Sequence, residues 1–129
     1  TMSSIKEFLK PDDAKPEEAL KHIKNSKIAV IDFTATWCGP CKLMKPKFKA
    51  FSEKYKNVQF IMVDVDEFSS IAAEYNVNAM PTFKFTKNGE VVDEIVGANA
   101  TGLEEKLKKF EEEAKPAEEE EAKEEKAEN

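Results

Sequence analysis

Apolar and polar positions alternate along this chain in blocks whose period changes several times. Ala29-Val30-Ile31 and Phe60-Ile61-Met62-Val63 are apolar without alternation. Short runs of that kind fit strands covered on both faces, as in the middle of a parallel sheet. They predict strands over 27–34 and 58–65. Between them, Cys41, Met44, Phe48, Phe51 and Tyr55 recur at spacings of three, four, three and four. That is one apolar stripe of a helix over 38–55, with Pro46 expected to kink it and Asn57 to end it.

The remaining elements are shorter. Residues 5–9 fit either an edge strand or a turn of helix, and Pro11-Asp12-Asp13 reads as a loop. Pro16 near the start and Glu17 and Glu18 in the first turn predict a helix over 16–24, with Ala19, Leu20 and Ile23 inward. His22 on that helix is read as an ordinary exposed side chain. Residues 69–75 predict a short helix facing inward through Ile71, Ala72 and Tyr75. A strand over 82–86 follows Pro81, which base rates make a trans proline. Asn88-Gly89 is a type I′ hairpin signal leading to a strand over 91–96. Gly97-Ala98-Asn99 reads as a turn. Thr101-Gly102-Leu103-Glu104 fits a capping box for a last helix facing inward through Leu103, Leu107 and Phe110. This order predicts an α/β protein: a mixed sheet of four to five strands flanked by helices on both faces.

Charge changes the picture at one end only. Residues 111–129 hold ten glutamates and three lysines, whereas residues 1–110 are nearly neutral. The segment after Pro116 has no aromatic or branched apolar residue and cannot build a core. It is expected to be an acidic tail, flexible or partly helical, beyond a domain of residues 1–113. Its charges most simply serve as a solvated face, with docking as the other reading. The body shows no nucleic-acid footprint, and the chain has no arginine. No apolar run reaches membrane-spanning length, and the first fifteen residues show no signal-peptide core. The expected setting is a reducing, cytoplasmic one, and the expected state a monomer.

Both cysteines lie in Trp37-Cys38-Gly39-Pro40-Cys41, where the first strand gives way to the long helix. Residues three apart share a helix face, so Cys38 and Cys41 can close a short disulfide ring. First-turn amides without intrahelical partners point at Cys38 and favour its thiolate, the reactive form. The apolar stripe makes Cys41 the inward member and Cys38 the outer one. Three other readings stand beside a redox pair. Zinc needs four ligands, and beyond two cysteines the chain offers only His22, on another helix. An iron–sulfur cluster would need a second chain. A structural bridge this short would constrain almost no chain. Asp32 interrupts an otherwise apolar strand that points into the dithiol turn. Buried there, its pKa would rise and it could exchange a proton near neutrality; the alternative is escape to solvent at the strand end. Asp64, Asp66 and Glu67 are read as a solvated strand end rather than metal ligands.

With Trp37-Cys38-Gly39-Pro40-Cys41-Lys42 at its centre, the sequence over about residues 18–110 closely resembles the thioredoxin family. The run Asp32-Phe33-Thr34-Ala35-Thr36-Trp37 looks most like its eukaryotic cytosolic and plant h-type members. The resemblance implies the thioredoxin fold and protein-disulfide reduction. It makes Cys38 the attacking thiolate, Cys41 the resolving thiol and Asp32 a buried acid/base beneath them. Met80-Pro81-Thr82 matches the family's cis-proline loop, where the backbone of Met80 is expected to pair with substrate chain; this replaces the trans expectation for Pro81. Trp37, Gly39, Pro40, Gly97 and Ala98 match a flat apolar surface that receives partners. The implied partners are disulfide-containing target proteins and an NADPH-dependent flavoprotein, thioredoxin reductase, with no bound cofactor. Two positions depart from bacterial members, which carry Trp at Thr34 and Lys at the position aligned with Met62. The acidic extension lies outside the family pattern. A binding module gated by redox state, and an oxidase or isomerase, are the rival readings.

Overall fold

A computed structural model describes residues 5–116 of the 129-residue chain. In chain order the elements are β1 (Ile5–Phe8), α1 (Pro16–Asn25), β2 (Ile28–Thr34), α2 (Gly39–Lys54), β3 (Gln59–Asp64), α3 (Ser69–Glu74), β4 (Thr82–Lys87), β5 (Glu90–Val96) and α4 (Ala100–Ala114). They form one five-stranded mixed sheet of order β1-β3-β2-β4-β5. β1 and β2 run parallel to β3, while β4 is antiparallel to β2 and to β5. Residues 5–9 therefore resolve into an edge strand.

The two unalternating runs sit in the middle of the sheet, as their composition requires. Every residue of Ile28–Phe33 and of Phe60–Asp64 is buried. One face of the sheet carries α2 and α4. There Phe48 of α2 lies 5.0 Å from the Phe60 ring and 5.7 Å from the Phe83 ring, and Phe110 of α4 stacks on Phe85 at 4.8 Å. The other face carries α1 and α3, packed through Ala19, Ile23, Ile71 and Ala72 onto Ile31, Phe33, Ile61 and Val63. Asn88 and Gly89 both have positive φ, 52° and 86°, as a type I′ turn requires. Pro46 lies inside α2, and the helix continues beyond it to Lys54.

Four local expectations change. α2 ends at Lys54, before Asn57; the Tyr55 N–H closes on the Phe51 carbonyl at 2.8 Å while the Tyr55 hydroxyl donates to Glu104 at 2.7 Å. The cap of α4 is Asn99, whose Oδ1 accepts from the Gly102 N–H at 2.9 Å, and not Thr101. Glu104, expected in the capping box, instead pairs with Lys54 at 2.8 Å. His22 is half-buried, its ring 5.9 Å from that of Phe8, and its Nε2 has no hydrogen-bond partner among the described residues. Burial, with a smaller contribution from nearby Lys6, holds its pKa below the ordinary histidine value. Asp64 is buried rather than solvated, because its Oδ1 accepts from the N–H groups of Asp66 and Glu67 at 2.8 and 3.0 Å and ties the turn after β3.

Candidate active site

The central strand β2 ends at Thr34, and a turn through 35–38 feeds the chain into α2. Cys38 is the N-cap of that helix, with extended backbone, and Pro40 falls in the first turn, where an amide N–H is not needed. Cys38 and Cys41 are joined as a disulfide with Cα atoms 5.3 Å apart. The Cys41 N–H points at Cys38 Sγ at 3.2 Å, as the orphan amides of a first turn predict. The Met80 carbonyl oxygen lies 3.6 Å from the same sulfur.

Both sulfurs are covered. Cys38 is 4% exposed and Cys41 3%, so the expected contrast between an outer and an inner cysteine is absent in the disulfide form. The reason is packing: Ala35, Cys38 and Cys41 form one small cluster, closed by Val65 and Met80. Flanking positions are open instead. Gly39 and Pro40 are exposed, and Trp37 is 65% exposed. The indole is nevertheless held, since its Nε1–H donates to Asp66 Oδ2 at 2.8 Å.

Met80–Pro81 is a cis peptide, as the resemblance implied. The Pro81 carbonyl accepts from the Gly97 N–H at 2.8 Å, so the loop before β4 and the turn after β5 are fastened together. Gly97 needs its missing side chain there, with φ at 97°. Ala98 beside it is exposed. Trp37, Gly39, Pro40, Met80, Pro81, Gly97 and Ala98 thus lie on three segments, two of which meet at Cys38 and Met80 and two at Pro81 and Gly97.

Asp32 is 1% exposed, on β2 between Met62 of β3 and Phe83 of β4. It shares strand parity with Val30, which packs in the core under α2, so its carboxyl faces that helix layer. Among the described residues its Oδ1 has no hydrogen-bond partner. Burial pushes its pKa up to about 7. A cavity of about 380 Å³ opens beside the disulfide and is lined by Leu9, Lys10, Thr34, Cys41, Lys42 and Met62 among others. Thr34 and Met62, the two departures noted in the sequence, both border it.

Sequence reasoning missed Asp66 and Lys10. Asp66 stood in an acidic cluster taken as plain surface, and only the fold brings it to Trp37, 29 residues away. Among the described residues, no group of three or more His, Cys, Asp or Glu is placed to hold a metal ion. No helix among them is long and apolar enough to cross a membrane.

A dithiol/disulfide pair at a helix N-terminus and beside a cis-proline loop, with a buried carboxyl on the strand that leads into it, defines a thiol–disulfide oxidoreductase. Comparison with known proteins narrows the class. The Thioredoxin family profile matches residues 11–109. The chain is 53% identical over 92 residues to thioredoxin of Equus caballus, covering 71% of this chain and 87% of that one. It is 57% identical over 82 residues to thioredoxin-1 of Schizosaccharomyces pombe, covering 64% and 80%. The crystal structure of thioredoxin NaTrxh from Nicotiana alata superposes with a TM-score of 0.74 at 42% identity, over 84% of this chain and 94% of that one. This chain belongs to the thioredoxin family and has the thioredoxin fold. Its activity is dithiol–disulfide exchange at the Cys38–Cys41 pair. Proteins of the family act on disulfide targets and are reduced by thioredoxin reductase.

Proposed function

We propose that this protein is a cytoplasmic, monomeric protein-disulfide reductase in which Cys38 attacks and Cys41 resolves. The observation that carries the assignment is the position of Cys38 at the N-cap of α2, with the Cys41 amide aimed at its sulfur. A helix N-terminus stabilises negative charge, so on reduction the thiolate forms there first. Cys41 belongs to the buried stripe of α2, three residues further along the helix.

The exchange runs in two displacements. The Cys38 thiolate attacks one sulfur of a target disulfide; a Cys38–target S–S bond forms, the target's own S–S bond breaks, and the departing thiolate takes a proton from solvent. Cys41 then gives its proton to the ionised Asp32 carboxylate and attacks the Cys38 sulfur. The Cys38–Cys41 bond forms, the mixed disulfide breaks, and the second target sulfur leaves as a thiolate that takes a proton from solvent. Two electrons have moved from protein to target. Asp32 suits this duty because a pKa of about 7 keeps both its forms populated near neutral pH. A thioredoxin reductase, an NADPH-dependent flavoprotein, returns the two electrons, and the protein itself needs no bound cofactor.

Target chain rests on Trp37, Gly39, Pro40, Met80, Pro81, Gly97 and Ala98, with the Met80 backbone pairing to it. In support, the Met80 carbonyl already faces Cys38. The run from Asp32 to Trp37 and the likeness to NaTrxh support an h-type-like member. Residues 1–113 constitute the redox domain and 114–129 an acidic extension; the tail beyond residue 116 lies outside the described residues.

The test is a trap. A Cys41→Ser variant, reduced and mixed with a disulfide-bonded protein, accumulates the Cys38 mixed disulfide, visible on non-reducing gels and lost with dithiothreitol. Failure of this variant to trap any target overturns the assignment.

A further inference from the structure

Three methionines lie among the described residues, and their settings differ. Met44 of α2 and Met62 of β3 are each 2% exposed, inside the core. Met80 is half-buried. It packs against the small cluster of Ala35, Cys38 and Cys41, so it stands at the rim of the redox pair. The loop that carries it is fastened on both sides. The Thr82 hydroxyl donates to the Ala79 carbonyl at 2.6 Å, and the Gly97 N–H donates to the Pro81 carbonyl at 2.8 Å. The Met80 carbonyl itself lies 3.6 Å from Cys38 Sγ. A chemical change at the Met80 side chain therefore stays beside Cys38.

A thioether reacts with a hydroperoxide without first losing a proton. The sulfur attacks the O–O bond, one oxygen passes to sulfur, and the other leaves as water or an alcohol. Sulfur gives up two electrons and the peroxide gains them. The competing sulfurs are out of play in the disulfide form. Cys38 and Cys41 are bonded to each other and offer no thiolate, the species that peroxides attack. Met44 and Met62 are covered. Among the described residues, Met80 is then the sulfur that a peroxide meets first. Its sulfoxide replaces an apolar, adaptable surface with a polar acceptor oxygen. Covering that oxygen with apolar target chain, without a donor to pair with it, is costly.

We propose that Met80 is a peroxide-sensitive modification site that turns down target reduction: its sulfoxide obstructs docking of target protein beside Cys38 and leaves the sulfur chemistry of the pair intact. This rests on the reductase reading above and adds a regulation to it. The oxidant is a hydroperoxide, and the modification falls on the disulfide form, which accumulates when electrons are short. Reversal requires a methionine sulfoxide reductase and a thiol reductant, which return the two electrons and release the oxygen as water.

The test uses the full chain in its disulfide form. It is exposed to hydrogen peroxide, the excess is removed with catalase, and fragment-ion mass spectrometry assigns each added oxygen. Met80 gains oxygen at least about tenfold faster than Met44 or Met62. Dithiothreitol then opens the disulfide and leaves the sulfoxide in place. In single-turnover mixing, the treated protein reduces insulin about tenfold more slowly than the untreated one. Reduction of bis(2-hydroxyethyl) disulfide, too small to cover the rim, is unchanged. Methionine sulfoxide reductases for both epimers restore the insulin rate. Met80→Leu, compared with itself before and after peroxide, loses nothing. Oxidation of Met44 or Met62 as fast as Met80 overturns the proposal, as does a peroxide loss that survives in Met80→Leu. Equal slowing of both disulfides also overturns it, because the dithiol and not docking is then harmed. Untreated protein that reduces neither disulfide fails the reductase reading itself; treated protein as fast as untreated fails only the Met80 site.

Discussion

Asp32 is the residue at which structure and chemistry pull against each other. Its folded pKa of about 7 stands above the ordinary value of 3.8, and the cause is burial without a compensating hydrogen bond. A raised carboxyl pKa means that the folded state binds a proton the unfolded state has lost. Stability therefore falls as pH rises from about 4 to about 7 and is level above that. Asp32→Asn removes the titration. The variant should be more stable than the parent by up to about 4 kcal/mol at pH 8 and by under about 1 kcal/mol at pH 4, read by urea unfolding at the two pH values. Equal stability differences at both pH values would show that Asp32 is not the group responsible. The residue was legible in the sequence because a lone carboxylate in an apolar strand has few explanations. Asp64 was not, because its burial depends on a turn that folds two amides back onto it.

At the scale of elements, periodicity located nearly everything. Of the stripe Cys41-Met44-Phe48-Phe51-Tyr55, all but the half-buried Phe51 are buried as its spacing required, and the Asn88-Gly89 hairpin has the backbone its residues favour. Ends were harder to read, since a helix terminus is decided by whichever polar side chain reaches the free amides first. At α4 the pattern put the cap on Thr101 and read Asn99 as part of a turn, yet Asn99 takes the capping role. Asn99→Ala should cost about 1 kcal/mol, and Thr101→Ala little, in thermal or chemical unfolding. The contacts that hold α4 against the end of α2, Glu104 with Lys54 and Tyr55, link residues about fifty apart. No local pattern carries that information.

For the molecule as a whole, the five-stranded sheet divides the core into two, and α4 closes one half. Phe110, 2% exposed against Phe85, is the main apolar anchor of its last turns. Phe110→Ala should lower stability by about 3–5 kcal/mol while leaving the Cys38 reaction rate unchanged in protein that remains folded. The sheet and its two helical layers were legible from the order of elements; the placement of Trp37 against Asp66 was not. That placement has an optical consequence. The molecule has one indole, one residue from the redox sulfurs and tethered at its nitrogen. Disulfides quench a neighbouring excited indole more than thiols do, so emission should brighten when the bridge is opened and dim when it re-forms. Each turnover is then visible as light from the protein itself, without label or coupled assay, and Asp66→Ala should blur that signal by letting the ring swing.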